Sequence, residues 1–132
     1  MDGNFSLKEF QELVDDVLIR HKSILDILSK VQESSARVNR SVAKASTNCG
    51  CIKIHAEKPD IPDDVTFSKL KSYMSNHVEG DLCHTCEEKI KQEISNNLFY
   101  LFALCNNFEF DVEEMTEEYY KQLKLLGKYG LL

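Results

Sequence analysis

The segment ILDILSKVQESSARVNRSVAKAS, residues 24–46, decides the fold, because its apolar residues recur at helical spacing along its whole length. Successive positions of this seam are separated alternately by four and three residues. They are Ile24, Leu28, Val31, Ser35, Val38, Val42 and Ala45, an apolar seam interrupted only by the small serine. A seam of this kind is typical of an amphipathic helix that buries one side. The sequence therefore predicts a long helix over residues 24–46, with other helices packed along it.

Capping boxes predict a helix at each end of the chain. Ser6-Leu7-Lys8-Glu9 opens a first helix over about residues 7–21. Asp111-Val112-Glu113-Glu114 opens a last helix, which Gly127 ends. The inward positions predicted for the last helix are Val112, Met115, Tyr119, Leu123 and Leu126.

Two further helices are predicted in the middle of the chain. Thr66 caps a short helix that Gly80 ends, and Thr85-Cys86-Glu87-Glu88 is a capping box that opens a long one. The apolar positions of the short helix are Phe67, Leu70, Met74 and Val78. Those expected on the inward face of the long helix are Ile90, Ile94, Leu98, Leu101 and Cys105.

The predicted fold class is all-α, a four- or five-helix bundle that forms a single domain over residues 1–132. Residues 47–86 are expected to be an inserted loop with a short helix, since the helical period disappears there and glycine and proline appear. Residues 98–105 are apolar almost all round, which one buried helix face would not require. The sequence therefore predicts a homodimer formed by helix packing.

Charge and composition exclude several classes of function. The 132 residues include 16 basic and 22 acidic ones, a formal charge of -6, which makes nucleic-acid binding by the whole surface unfavourable. No membrane-spanning segment and no secretory signal is recognisable in the sequence, so a cytoplasmic location is expected. In a reducing compartment, clustered cysteines favour metal or redox chemistry over a disulfide framework.

Four of the five cysteines form two local pairs, a Cys-x-Cys at Cys49 and Cys51 and a Cys-x-x-Cys at Cys83 and Cys86. Two such pairs joined by a loop provide the tetrahedral thiolate set of structural Zn²⁺. A site with four protein ligands would have no open position for a substrate, so the predicted zinc is structural. Gly50 relieves the steric cost of the tight Cys-x-Cys turn.

Two alternatives to zinc stay open: a reversible disulfide or thiol switch, and no site at all. The cysteine spacings match none of the common ferredoxin patterns for iron–sulfur clusters. His55, His77 and His84 are nearby substitutes for a thiol ligand. Cys105, in apolar company in the middle of a helix, is expected to be a core residue.

The segment EISNNLFYLFALCNNFEFDVEEMTEEYYKQLKLL resembles the second half of the MazG-like nucleotide pyrophosphohydrolase domain. The family pattern is E-x-x-D, an apolar run, a small-Asn pair and an Asp that starts a helix. Glu93, the run Leu98–Leu101, the pair Cys105-Asn106 and Asp111 match it in turn. Upstream, SLKEFQELVDDV is similar to the family's first helix and VQESSARVNRSVAKA to its second. The resemblance implies a MazG-like bundle to which the cysteine loop is added.

The resemblance also implies a site, and most of its carboxylates are missing here. MazG-like enzymes hold Mg²⁺ with E-E-x-x-E on one helix and E-x-x-D on the next, because a hard cation needs several oxygen anions. Glu33 matches the first set, but Ser34 and Arg37 stand at its next acidic positions. On the other helix Glu93 is retained, and Asn96 replaces the aspartate. Glu33, Glu93 and Asn96 are therefore the candidate catalytic residues, with Mg²⁺ only if the protein is active.

Cationic side chains share one face of the second helix with Glu33. Arg37, Arg40 and Lys44 follow it at intervals of four, three and four residues. One interpretation is a solvated face with a Glu33–Arg37 ion pair. A second is an anion site in which these cations bind phosphate or carboxylate oxygens without Mg²⁺. A third is a set of salt bridges between subunits.

Three functions follow as hypotheses from these residues and the resemblance. The first is a non-catalytic or altered MazG-like protein, stabilised by structural zinc, that binds a nucleotide-like anion or a protein partner. The second is an active, metal-dependent nucleoside triphosphate pyrophosphohydrolase. The third is a thiol or zinc redox sensor in which oxidation joins Cys49 or Cys51 to Cys83 or Cys86.

Overall fold

The fold is all-α with one short two-stranded sheet, in a computed structural model that describes residues 4–127. Its four α-helices within that range are α1 (Leu7–Val17), α2 (Ile24–Lys44), α3 (His84–Asn107) and α4 (Val112–Leu126). The connection from α2 to α3 contains a π-helical turn (Ala45–Cys49), strand β1 (Ile52–Ile54), a 3₁₀ helix (Phe67–Tyr73) and strand β2 (Val78–Gly80). No α-helix in the described range is long and apolar enough to cross a membrane. The predicted helical bundle with a cysteine-bearing loop is confirmed.

The main core lies where α1, α2 and α3 meet. Val14, Ile27 and Ala103 are almost completely buried there, and Phe102 packs beside them. Val112 in the first turn of α4 completes this cluster. Among the helices in residues 4–127, α2 and α3 form the most extensive contact. Its length places residues 33–44 of α2 opposite the first turns of α3, where the candidate sites lie.

Gln11 joins α1 to the connection between α3 and α4. This buried side chain donates from Nε2 to the carbonyl oxygen of Phe110 (2.6 Å) and accepts from the backbone N–H of Val112 (2.9 Å) at Oε1. Asn106 donates to the Gln11 carbonyl oxygen at 3.1 Å. The amide side chain therefore satisfies one acceptor and one donor at a buried turn, which a hydrocarbon could not do.

The capping predictions at the two ends are confirmed, but the first helix is shorter than predicted. Ser6 Oγ accepts from the N–H of Glu9, and Asp111 Oδ1 accepts from that of Glu114. The first helix ends at Val17 and not near residue 21, because Leu18 becomes extended and packs against the core. Helix α2 matches its predicted range within two residues, with the π-helical turn replacing its last turn.

The predicted short helix over the middle of the loop is wrong in two respects. Only residues 67–73 are helical, as a 3₁₀ helix, and Thr66 makes no side-chain cap. Val78 and Gly80 belong to β2, which pairs antiparallel with β1 in the register Ile52↔Gly80 and Ile54↔Val78. Helix spacing between Phe67 and Val78 was misleading because the strand partner lies more than twenty residues upstream.

The predicted inward faces of the last two helices are also partly wrong. On α3 the structure buries Ile90, Glu93, Phe102 and Ala103, while Ile94, Leu98 and Leu101 are each more than a third exposed. On α4 Val112 is buried and Leu123 half-buried. Its other predicted inward positions are exposed: Met115, Tyr119 and Leu126. A helix that is apolar all round does not by its period indicate which side faces the core.

Candidate metal centre and adjoining groove

The two cysteine pairs come from the two ends of the connection between α2 and α3. Cys49 ends the π-helical turn and Cys51 immediately precedes β1. Cys83 is the residue before α3, and Cys86 lies in its first turn. The predicted capping box at Thr85 is therefore displaced, since Cys83 Sγ accepts from the N–H of Cys86 and is itself the N-cap.

The structure brings the four sulfur atoms of Cys49, Cys51, Cys83 and Cys86 together. All lie within 4.8 Å of one another, and Cys49 Sγ is 3.8 Å from Cys83 Sγ. All four thiols are free, and three are half-buried, with Cys49 exposed. Four sulfur atoms at this separation can hold a metal ion.

Hydrogen bonds shift the pKa values of Cys83 and Cys86, the pair at the start of α3, in opposite directions. The N–H of Cys86 and then its thiol donate to Cys83 Sγ, and together they lower the pKa of Cys83 to about 7. The same thiol contact raises the pKa of Cys86 to about 12, because its proton is shared with the Cys83 sulfur. Of these two thiols, Cys83 is thus the one more readily converted to the thiolate, which is the form that binds a metal.

The strand pair β1–β2 holds the two halves of the cluster side by side. β1 begins one residue after Cys51, and β2 ends three residues before Cys83. Gly80 has a φ of 88°, and a Cβ there would lie 2.8 Å from the carbonyl oxygen of Cys51. Gly50 adopts a left-handed φ of 82° between its two cysteines, as its predicted role in the tight turn requires.

A small cluster of buried apolar residues packs against two of the four cysteines. Ala45, Ile52 and Ile90 are buried together, and Cys51 and Cys86 pack against them. The cluster joins the end of α2, β1 and α3, so the ligands stand on ordered backbone from three elements. Cys105 packs against the separate main core, as predicted, and burial raises its pKa.

The three histidines considered as substitute ligands are not part of this cluster. His55 Nε2 lies 2.8 Å from a carboxylate oxygen of Glu57, and His77 Nδ1 accepts from the N–H of Glu57. Both lie on the loop side of the strand pair, away from the cysteines. His84 is exposed in the first turn of α3.

A groove of about 590 Å³ lies between α2 and the first turns of α3 and ends at the cysteines. It brings together five of the six candidate catalytic and anion-binding residues. Those lining it are Glu33, Arg37, Arg40, Lys44 and Glu93, together with Cys49, Cys86 and Lys89. Five of the sequence-predicted residues of the two helices therefore share one cavity with two of the four clustered cysteines.

Both carboxylates in the groove are paired with cations. Glu33 Oε1 lies 3.2 Å from Nη2 of Arg37, and Lys30 approaches its other oxygen at 3.6 Å. Glu93 is buried and forms an ion pair with Lys89, whose Nζ lies 3.2 Å from Glu93 Oε1. The predicted Glu33–Arg37 pair is confirmed.

Asn96 does not line the groove. Its neighbour Asn97 is the residue that reaches across to α2, where Nδ2 donates to Ser34 Oγ at 2.9 Å and to Ser35 Oγ at 3.0 Å. Ser34 is fully buried, so the seam of α2 runs through Ser34 and not Ser35. Ser34 is the residue that stands at the second acidic position of the pattern that the sequence resembles, and here it makes this polar contact.

Lys89 is a charged residue of the groove that the sequence did not single out. It lies one turn beyond Cys86 and four residues before Glu93 on α3. The Lys-to-Glu spacing of four was a usable signal for an ion pair on one helix face. What the sequence did not indicate is that this face is opposite Arg40 and Lys44.

Comparisons of the chain with known protein families, with curated proteins and with solved structures gave no match.

Proposed function

We propose that the protein is a zinc-stabilised helical protein that binds a phosphate-bearing, nucleotide-like anion in the groove without turning it over. The observation that carries this proposal is the shared cavity: Arg37, Arg40 and Lys44 line one wall, and Lys89 lines the wall opposite. The MazG-like resemblance stays a prediction. It is supported by the long α2–α3 pairing and by Glu33 and Glu93 meeting in one groove.

The metal proposed for the cysteine cluster is Zn²⁺ in a structural role. A tetrahedron with Zn–S bonds of about 2.3 Å has an S···S edge of about 3.8 Å. The Cys49–Cys83 separation is 3.8 Å, and the 4.8 Å limit on the other pairs requires only a small contraction. Four thiolates would saturate the ion, which argues for holding the loop and against activating water.

The groove is basic in a protein that is acidic overall. Its lining has four cationic side chains and two carboxylates, whereas the whole chain has a formal charge of -6. Arginine binds phosphate oxygens through paired N–H groups, and lysine adds a mobile positive charge. The lining includes no aromatic side chain, so the interaction favours phosphate groups over stacking of a base.

The same residues argue against catalysis with Mg²⁺. Glu33 and Glu93 both stand in ion pairs with cations, and the next position of the family's site is the Asn97–Ser34 contact. A Mg²⁺ ion bound there would lie close to arginine and lysine, whose repulsion grows as water is excluded. Binding without turnover is the function that this arrangement favours.

Neutralising the basic wall is expected to weaken anion binding at least about tenfold. The double variant Arg40→Gln and Lys44→Gln removes two positive charges, each of which contributes about 0.7 kcal/mol or more to binding a polyanion at low salt. Calorimetry with an α,β-methylene nucleoside triphosphate measures the affinity of each protein for the anion. Lys91→Gln is the matched control, since Lys91 pairs with Glu87 outside the groove. Equal affinities of all three proteins would contradict the proposed site.

A panel of nucleoside and deoxynucleoside triphosphates with Mg²⁺ or Mn²⁺ separates binding from catalysis. We expect no pyrophosphate release above the uncatalysed background. Turnover at ordinary enzyme rates that is lost in both Glu33→Gln and Glu93→Gln would establish the pyrophosphohydrolase instead. It would refute the non-catalytic proposal while leaving the groove as the binding site.

We also propose that the protein is a homodimer that covers the exposed apolar stripe of α3. Ile94, Leu98 and Leu101 lie at intervals of four and three residues and are each more than a third exposed. Met115 and Tyr119 form a second exposed stripe on α4. Large apolar stripes on two long helices are typical of surfaces that a second subunit covers.

Leu98→Glu is expected to shift the protein from dimer to monomer at micromolar concentration. The substitution places a charge in the centre of the stripe, where a dimer would desolvate it. Sedimentation velocity gives the mass of each form. Gln92→Glu, which adds the same charge at an exposed position on another face of α3, is the control and should remain dimeric. A wild-type protein that sediments as a monomer would overturn the proposal.

A further inference from the structure

The cysteine cluster and the basic groove share two residues, Cys49 and Cys86, which line the cavity with Lys44 and Lys89. Lys44 immediately precedes the π-helical turn that ends at Cys49, and Lys89 lies one helical turn beyond Cys86. Residues three apart on a helix have Cβ atoms about 5–6 Å apart. The charge of the cluster therefore acts on any anion bound in the groove.

A divalent metal held by four thiolates carries a net formal charge of two negatives. The groove itself has a formal charge of two positives, from four cations and two carboxylates. With the metal bound, the negative charge of the adjoining cluster offsets the positive charge of the groove, so the groove then attracts an anion through its local cations alone. Without the thiolates' charge, the same cavity is an anion site with two uncompensated cations.

We propose that the metal–thiolate cluster controls the anion affinity of the groove through its own charge, so that oxidation with metal release strengthens anion binding. The inference rests on the anion site proposed above and adds its regulation. The oxidant is a hydroperoxide. Two molecules of hydrogen peroxide each accept two electrons and, with four protons, become four molecules of water. The four thiolates form two disulfides and release the divalent metal ion.

The geometry permits this step. Cys49 Sγ and Cys83 Sγ are 3.8 Å apart, and all four sulfur atoms lie within 4.8 Å, so disulfides can form with small movements. The disulfides carry no charge. The cavity therefore gains two positive charges relative to the metal-bound form.

The expected gain in affinity is about tenfold for a nucleoside triphosphate at about 20 mM salt, and smaller at about 150 mM. The probe is an α,β-methylene nucleoside triphosphate without added divalent cation, titrated by calorimetry into metal-loaded and peroxide-oxidised protein. Released zinc and the loss of free thiols confirm that oxidation is complete. The oxidised form is expected to bind more tightly, and the gain should shrink as salt rises.

Cys49→His tests the charge with the metal still in place. Histidine is a neutral zinc ligand, so the loaded cluster then carries one negative charge, and about threefold tighter binding is expected. Cys105→Ala is the control, because Cys105 lies in the main core and leaves both cluster and groove unchanged. Elemental analysis verifies the metal content of each protein.

The outcomes distinguish the two proposals. Tighter binding by the oxidised form and by zinc-loaded Cys49→His supports control by charge. Binding that is equal or weaker in the oxidised form overturns it and leaves the anion site standing. If no form binds the probe, the anion site fails and the inference fails with it.

Discussion

Cys83→Ser is expected to abolish stoichiometric metal binding and to unfold the strand pair β1–β2, while the core around Ile27 stays folded. Serine is a good N-cap, so its oxygen can replace the sulfur that accepts from the N–H of Cys86. The variant therefore removes the metal ligand and retains the start of α3. The segment has little core of its own, since Ile52 is its one buried residue between Gly50 and Cys83.

The expected effect is large because the proposed metal would take the place of a hydrophobic core in this segment. Structural zinc contributes about 10–16 kcal/mol to the folding of zinc-finger peptides at neutral pH. Part of that free energy is enough to account for the order of residues 45–83. Hydrogen exchange of the β1 amides should accelerate at least about 100-fold, whereas the amides of α2 near Ile27 should keep their protection. Elemental analysis should show a fall from one zinc per chain to none.

Cys105→Ser is the matched control for this prediction. It makes the same chemical change at a cysteine outside the cluster, so its zinc content and its β1 exchange rates should equal those of the wild type. Unchanged zinc in Cys83→Ser would contradict the four-thiolate site. Unchanged β1 protection after zinc is lost would show that strand pairing alone orders the segment.

Gln11→Leu is the second substitution with a large expected effect, a loss of about 2–4 kcal/mol in the free energy of unfolding. Leucine has a similar volume but cannot pair with the Phe110 carbonyl oxygen or the Val112 N–H. The Val112 N–H lies in a buried position, and each buried polar group left without a partner costs about 1–3 kcal/mol. Urea denaturation at one fixed protein concentration measures the change.

Two comparisons define how the Gln11 result is interpreted. Gln32→Leu makes the same substitution at an exposed position of α2 and should change the free energy of unfolding by less than about 0.5 kcal/mol. Gln11→Glu should also destabilise, since a carboxylate cannot donate to Phe110 as the amide does. If Gln11→Leu changed the free energy of unfolding as little as Gln32→Leu, water would have to hydrogen-bond the backbone groups of the turn in place of the side chain.

The parts of the fold that local chemistry determines were predictable from the sequence. Ser6 and Asp111 cap their helices as expected, because an N-cap needs only one oxygen and an N–H three residues later. The apolar period of α2 likewise predicted its range. The cysteine pairs predicted the four-sulfur cluster, since each pair is a local chelate and the number of ligands matched one ion.

The errors occur where the deciding partner is distant in sequence. Val78 stands at helix spacing from Met74, but its strand partner is Ile54. Thr85 is an exception, because the sulfur that takes the N-cap position belongs to Cys83, only two residues upstream. On α3, Ile94 and Leu98 were expected inward, yet the apolar residues on every side left the buried face to be decided by packing with α2.

In the groove, too, the features set within one helix were predictable and those set by contact between helices were not. The row Glu33, Arg37, Arg40 and Lys44 follows from the period of one helix. That Lys89 and Glu93 face this row depends on the register between α2 and α3, which a single sequence does not give. Asn96 was expected in the site because of its place in a motif, and a shift of one residue puts Asn97 at the helix contact instead.

The strand pair has a consequence for how the chain can vary between its two cysteine pairs. The ladder continues past Ile54 and Val78 to a hydrogen bond from the His55 N–H to the His77 carbonyl oxygen at 2.8 Å. The loop of residues 56–76 therefore begins and ends at this hydrogen-bonded pair of residues. Doubling the length of such a loop changes its closure entropy by only about 0.6 kcal/mol. Insertions and deletions there would leave the four sulfur atoms in place, so this segment could be exchanged without altering the geometry of the sulfur cluster.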